Sequence, residues 1–151
     1  MRTVSDLLDR AVYASTALLT AGFALLTFVS VLTRYVFDFA ILSSQEVSKL
    51  FFIWACFLAA TIAYKRNAHI RFEFIDGLLK PRGRALRDLL DHSLSLAFFL
   101  CLEVESVSFV RQIWETYFPL IDISQGWLYL SVTTAVTILL VHNLRFLAAG
   151  L

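Results

Sequence analysis

Long stretches of the sequence are nearly free of charge, and charged residues gather between them. The first such stretch, residues 11–33, has no charged residue and lies between Arg10 and Arg34. Since an α-helix rises about 1.5 Å per residue, this stretch is long enough to cross a hydrocarbon core of roughly 30 Å. Comparable stretches at about 46–64, 89–110 and 126–147 predict three further transmembrane helices.

The segment between the second and third spans has a one-sided pattern. On a helical wheel of residues 69–80, the aliphatic and aromatic residues fall in one arc, and Glu73, Asp76 and Lys80 fall in the opposite one. Such a helix lies in the membrane interface and does not cross the membrane. We therefore predict an interfacial arm helix here. Pro81 and Gly83 should end it, so that the next helix starts near Arg84 and runs on into the third span.

Basic residues accompany the start of this arm. Lys65 and Arg66 end the second span, and His69 and Arg71 follow closely. Long basic side chains can bury their stems in apolar surroundings while their charged heads reach lipid phosphates. We predict that these four residues lie at the lipid interface.

The distribution of Lys and Arg predicts the orientation. With four spans, ten of the thirteen Lys and Arg residues fall on the side that holds the N-terminus, the central connection and the C-terminus. The opposite side holds Arg34, Lys49 and Arg111. The positive-inside rule therefore predicts that both termini are cytoplasmic.

Composition agrees with this membrane pattern. With 59% hydrophobic residues and a mean hydropathy of +0.74, the chain has too few polar residues to cover a soluble domain. We predict an all-α integral membrane protein with a single membrane domain and no nucleic-acid partner. Cys56 and Cys101 are far apart and inside apolar runs, so neither a disulfide framework nor a zinc site is indicated.

Few residues could carry chemistry, and no catalytic or cofactor motif is present, so we predict neither an enzyme nor a bound cofactor. Glu103 and Glu105 stand out because acids within a span usually mark a function or a partner. Residues two apart on a helix point about 200° apart, so one acid should face the other helices and the other should face outward. A proton relay or ion coupling is the alternative for these acids.

Two spans begin with capping patterns at the same side of the membrane. Ser43 stands three residues before Glu46, which places the start of the second helix near Ser43 and makes Glu46 a candidate capping residue. Asp122 and Gln125 have the same spacing before Gly126 and Trp127. Trp54, inside the second span, is interpreted most simply as a packing or lipid-facing residue.

Four segments in order resemble one family: RYVF at 34–37, QE at 45–46, FFIWACFLAATIAYKRNAHI at 51–70 and PLIDISQGWLYLSV at 119–132. Together they resemble the small, DctQ-type membrane subunit of tripartite ATP-independent periplasmic (TRAP) transporters. The chain departs from the usual family pattern before the second span, where a Trp and a pair of acids are common and this sequence has Ser43, Ser44, Gln45 and one acid.

The resemblance implies a role that composition does not reveal. It implies a noncatalytic scaffold in the bacterial or archaeal inner membrane that supports a large, sodium-driven M subunit of the elevator type. A periplasmic binding protein would deliver an organic anion, and membrane lipids would surround the complex. Residues expected at the partner interface are Arg34, Tyr35, Glu46, Trp54, Glu103, Gly126 and Trp127, with Glu46 near Arg34.

Two other functions remain open at the level of sequence. One is a membrane-anchor redox subunit that binds haem or quinone, since His69, His92 and His142 lie near span ends. The other is a small four-span transporter that acts alone, in which Glu103 or Glu105 would titrate.

Overall fold

The computed structural model describes residues 2–67 and 81–149, with side chains described over 7–65 and 90–145. The described ranges form four α-helices: α1 (Arg2–Val36), α2 (Ser43–Asn67), α3 (Pro81–Ile113) and α4 (Gly126–Ala149). Each contains a stretch long and apolar enough to cross a membrane. The predicted all-α fold with four spans is confirmed. The predicted arm at 69–80 lies outside the described residues, and the orientation stays a prediction.

The helices are longer than the predicted spans. Residues 2–10, which precede the predicted first span, continue α1 without a break, and the sequence there contains neither Gly nor Pro. Helix α3 begins at Pro81 and not near Arg84. Proline is favourable in the first turn of a helix, where its missing N–H would have no intrahelical partner. As expected, α3 then runs on through the third span.

The four helices pack in the spatial order α1, α2, α4, α3, with α1 and α3 at the outside. Consecutive helices along each short connection are antiparallel, so α1 and α3 end where α2 and α4 begin. We call this the Arg34 end and the opposite one the Lys65 end. In the described residues α1 and α3 share no extensive contact, so the arrangement is an open row of helices and not a closed bundle.

Burial is concentrated at the two inner helices. Ala55 and Leu58 of α2 and Ala135 and Val136 of α4 are among the few buried apolar residues. In the most apolar 18-residue window of each helix, 28% of the residues of α4 are buried and none of the residues of α1 are buried. Apolar surface left uncovered in a membrane protein faces lipid or a partner. The outer helices therefore offer broad apolar faces.

The connection between α1 and α2 is short and reverses the chain at Asp38, which has φ 52°. Aspartate tolerates this left-handed conformation better than most residues other than glycine. The Thr33 carbonyl accepts hydrogen bonds from the N–H groups of Phe37 and Phe39. Farther along the pair, α1 and α2 approach closely where Gly22 meets the Phe51 ring. This close approach sets the two helices side by side.

Candidate functional site

The connection between α3 and α4, residues 114–125, is a folded hairpin at the Arg34 end. Tyr117 and Ser124 form an antiparallel bridge, and Phe118 N–H donates to the Ile123 carbonyl at 3.0 Å. Phe118 and Ser124 are buried. We call this segment the hairpin connection, and three of the residues predicted for the partner interface contact it: Glu46, Gly126 and Trp127.

Glu46 holds the hairpin connection to α2. Both of its carboxylate oxygens accept from the backbone N–H of Leu120, at 3.1 and 3.3 Å. Glu46 lies in the first turn of α2, as the capping pattern predicts, but its carboxylate reaches across to another segment. No ion pair between Glu46 and Arg34 is formed among the described residues, so the expected neighbourhood of these two residues does not extend to a salt bridge.

Trp54 ties α2 to the beginning of α4. Its indole Nε1–H donates to the Trp127 carbonyl at 2.9 Å. The Trp127 ring packs in turn against Trp114, with ring centroids 6.2 Å apart. Trp54 is thus a packing residue with a polar contact in this structure, whereas the Trp127 side chain is 50% exposed and available to a partner.

A glycine is needed at position 126 because the Trp114 ring packs directly against its backbone. A Cβ built at this position would lie 2.5 Å from Cε3 of Trp114. Ser124, which sequence analysis missed, caps α4: its hydroxyl accepts from Gly126 N–H at 3.0 Å and donates to the Trp114 carbonyl. The expected Asp122–Gln125 capping box is replaced by this Ser124 cap, and the Gln125 amide donates to the Tyr117 carbonyl instead.

Arg34 and Tyr35 stand apart from this network. Both are exposed at the end of α1, and Tyr35 is 81% exposed. They line a groove between α1 and α2 that also includes Lys49. The structure therefore brings Glu46, Trp54, Gly126 and Trp127 together and leaves Arg34 and Tyr35 on the neighbouring surface.

Glu103 and Glu105 lie on different sides of α3, as the helical spacing predicts. The Thr137 hydroxyl of α4 lies 2.9 Å from both Glu103 Oε1 and the Thr133 carbonyl, so these two acceptors share its one hydrogen. The other Glu103 carboxylate oxygen is buried without a hydrogen-bond partner. Glu105 is exposed. The hydroxyls of Ser106 and Thr133, 3.2 Å apart, form a second polar contact between α3 and α4. We call Glu103, Ser106, Thr133 and Thr137 the polar seam.

At the Lys65 end, a second polar cluster joins three helices. The Lys65 ammonium of α2 pairs with the Asp9 carboxylate of α1, and the His142 Nε2 of α4 lies 3.7 Å from the same carboxylate. No local sequence pattern singles out Asp9, because its partners Lys65 and His142 lie on two other helices. The Lys65 side chain is 44% exposed, which leaves part of its surface for the predicted lipid contact.

The side chains of the other three residues predicted to contact lipid lie outside the described part of the structure. Arg66 lies in α2, with its side chain outside the described set, and His69 and Arg71 lie outside the described residues. Their lipid contacts stay predictions. In the part of the chain that the structure describes, no three His, Cys, Asp or Glu side chains are grouped to hold a metal ion.

Comparison with known proteins gives consistent matches. A family model described as "Tripartite ATP-independent periplasmic transporters, DctQ component" matches residues 23–151. A Haemophilus influenzae protein named as a TRAP transporter small permease is 26% identical over 136 residues, which cover 89% of this chain and 84% of that protein. The C4-dicarboxylate TRAP transporter small permease protein DctQ of Vibrio cholerae is 30% identical over 111 residues, or 74% of this chain and 44% of that protein.

Proposed function

Because this chain belongs to the DctQ component family of TRAP transporters, we propose that it is the scaffold subunit that supports the large transmembrane subunit of such a transporter. It is a multi-pass inner-membrane protein and a transporter component. In this proposal the large subunit carries the substrate and sodium sites, and a periplasmic binding protein delivers an organic anion. The Vibrio cholerae relative is named for C4-dicarboxylates, which supports an organic anion as the substrate class.

The open row of helices is the observation that carries the scaffold role. A row has two broad faces, whereas a closed bundle buries its apolar residues against one another. Helix α1 has no buried residue in the most apolar part of its span, so a partner can cover it without rearrangement. An elevator-type partner pushes against its support during transport, and a wide row resists sliding better than a single helix.

The Arg34 end supplies the residues that we propose for the partner contact. The exposed rings of Tyr35 and Trp127 lie at this end, and aromatic residues are enriched at the centres of protein interfaces. Glu46, Trp54 and Gly126 would act indirectly by holding the hairpin connection and the start of α4. In the predicted orientation this end faces the periplasm, where the binding protein would dock.

Co-purification tests the proposal. The chain, carrying an affinity tag, is expected to retain a much larger membrane protein in mild detergent, and sodium-dependent uptake in proteoliposomes should require both subunits and the binding protein. Uptake by this chain alone would contradict the scaffold role. Cysteine labelling from the outside tests orientation separately: Cys in place of Tyr35 should react with an impermeant reagent, and Cys in place of Arg66 should not.

A further inference from the structure

The groove between α1 and α2 at the Arg34 end is unusual for its combination of charge and apolar wall. It has a volume of about 600 Å³, and Arg34 and Lys49 are among its lining residues. Within the described residues neither cation forms an ion pair. Glu46, the acid nearest to Lys49 in sequence, directs both carboxylate oxygens to Leu120 N–H. The two positive charges are therefore left for a ligand from outside the chain.

The depth of Lys49 in the membrane raises the free-energy cost of leaving its charge unpaired. It lies six residues into α2, about 9 Å from the start of the helix, within a stretch apolar enough to span the membrane. A cation at this depth is costly unless its charge meets a phosphate, a carboxylate or water. Ser44 lies beside Ser30 and Phe52 lies beside Phe23, so Lys49 sits at the level of residues 25–26 of α1, about 12–13 Å deeper than Arg34. A phosphate near the level of Ser30 is within reach of both side chains when they extend toward it.

Below Ser30 the groove follows one leaflet. Its α1 wall there includes Thr27 and Phe23 and extends over about 10 Å. This is about two thirds of one half of a hydrocarbon core of roughly 30 Å. Polar residues of α2, Ser44, Gln45 and Ser48, line the groove as well. The rings of Phe23 and Phe52, with centroids 5.2 Å apart, are its deepest lining residues. The first part of an acyl chain fits along these rings and Thr27.

We propose that this groove binds one anionic phospholipid, with its phosphate near the level of Ser30, between the Arg34 and Lys49 side chains, and an acyl chain along Thr27 and Phe23. We expect a lipid with a net negative charge to bind better than a neutral one, because Arg34 and Lys49 both line the site. A zwitterionic lipid would also bring its own ammonium group to the same place. The site lies in the leaflet at the Arg34 end and is separate from the basic arm predicted at the other side of the membrane.

Native mass spectrometry of the full chain tests this directly. We expect the chain to retain one phosphatidylglycerol in preference to phosphatidylcholine with the same acyl chains. The variant Arg34→Gln/Lys49→Gln should lose about fivefold in affinity for each cation removed. Arg111→Gln is the matched control, since Arg111 is exposed at the same end but does not line the groove. Equal retention of both lipids, or an unchanged double variant, would overturn the proposal.

The apolar half is tested by filling the groove. Thr27→Trp should reduce phosphatidylglycerol retention while leaving both cations in place. Thr20→Trp is the control, because Thr20 is exposed on the same helix and outside the groove. Glycerophosphate distinguishes a lipid from a free ion. If it shifts the melting temperature as much as the phospholipid does, the site binds phosphate alone and the lipid assignment is wrong.

Discussion

At the scale of single residues, Glu46 shows how one acid near a membrane surface can organise a separate segment. Leu120 N–H belongs to the hairpin connection and has no strand or helix of its own to bond with. Leu120 is 50% exposed, so water can replace a lost partner and the hydrogen bond contributes about 0.5–1.5 kcal/mol net. The Glu46 carboxylate supplies that hydrogen bond and thereby fixes the hairpin connection against α2.

We expect Glu46→Ala to lower the free energy of unfolding by about 1 kcal/mol and to speed hydrogen exchange at the Leu120 amide. Glu46→Gln should do less, because its amide oxygen can still accept from Leu120 N–H. Gln45→Ala is the control, since Gln45 is the exposed neighbour of Glu46. Denaturation in mixed micelles and exchange measured by mass spectrometry provide the two readouts. Unchanged exchange in Glu46→Ala would show that the contact does not hold the hairpin connection.

Gly126 is a second residue whose role is steric. Gly126→Ala places a methyl group against the Trp114 ring, and we expect a loss of about 1–3 kcal/mol in the free energy of unfolding, as is usual for overpacking. The same substitution should cost much less in a Trp114→Leu background, because the ring is gone. A double-mutant cycle measures this coupling. Additive losses would mean that the clash is relieved in another way.

At the scale of elements, the polar seam explains how α3 and α4 keep their register. Hydroxyl and carboxylate groups meet at two levels, Glu103 with Thr137 and Ser106 with Thr133. Polar contacts between membrane helices average about 0.6 kcal/mol each. They therefore select one register more than they provide the bulk of the stability. In this view Glu103 is a helix-pairing residue, although one of its oxygens has no partner.

Thr137→Val tests this view. It removes the donor to Glu103 Oε1, and we expect a loss of about 0.6 kcal/mol in the free energy of unfolding, because the acid is then left without that hydrogen bond. Glu103→Gln should change stability by less, since the amide oxygen accepts in the same way, and it should leave uptake by the complete complex unchanged. Glu105→Gln is the control on the exposed side. Loss of uptake in Glu103→Gln with normal stability would instead favour ion coupling.

The elements themselves could be predicted well, and their packing could not. Long apolar runs with few charged residues identified all four spans, because length and hydropathy are local properties. The ends of the helices could not be predicted as well. Proline both breaks helices and begins them, and Pro81 begins α3. At the start of α4, the capping residue is Ser124 and not the expected Asp122. The contacts of Glu46 and Trp54 lie 74 and 73 residues away in sequence, and no local pattern specifies such pairings.

At the scale of the whole molecule, the order α1, α2, α4, α3 is the feature with most consequence. Hydropathy alone permits a closed bundle equally well, because lipid covers an apolar face as readily as another helix does. Two clusters hold the row at its ends: the hairpin connection at the Arg34 end, and the Asp9, Lys65 and His142 cluster at the other. Helix α2 takes part in both and is the central support of the row.

Disulfide trapping distinguishes an open row from a closed bundle. With Cys56 and Cys101 replaced by alanine, Ser30→Cys/Ser44→Cys should cross-link α1 to α2, because the two hydroxyls are 2.9 Å apart. Ser106→Cys/Thr133→Cys should likewise cross-link α3 to α4, where the hydroxyls are 3.2 Å apart.

The diagnostic pair joins the outer helices. Ser30 and Ser106 lie at similar depths, six and seven residues before the ends of α1 and α3. Ser30→Cys/Ser106→Cys should therefore remain reduced under oxidant, while the two positive pairs control for reactivity at that depth. A closed bundle that placed α1 beside α3 would cross-link this pair as fast as the others. Such a result would remove the broad face on which the scaffold role depends.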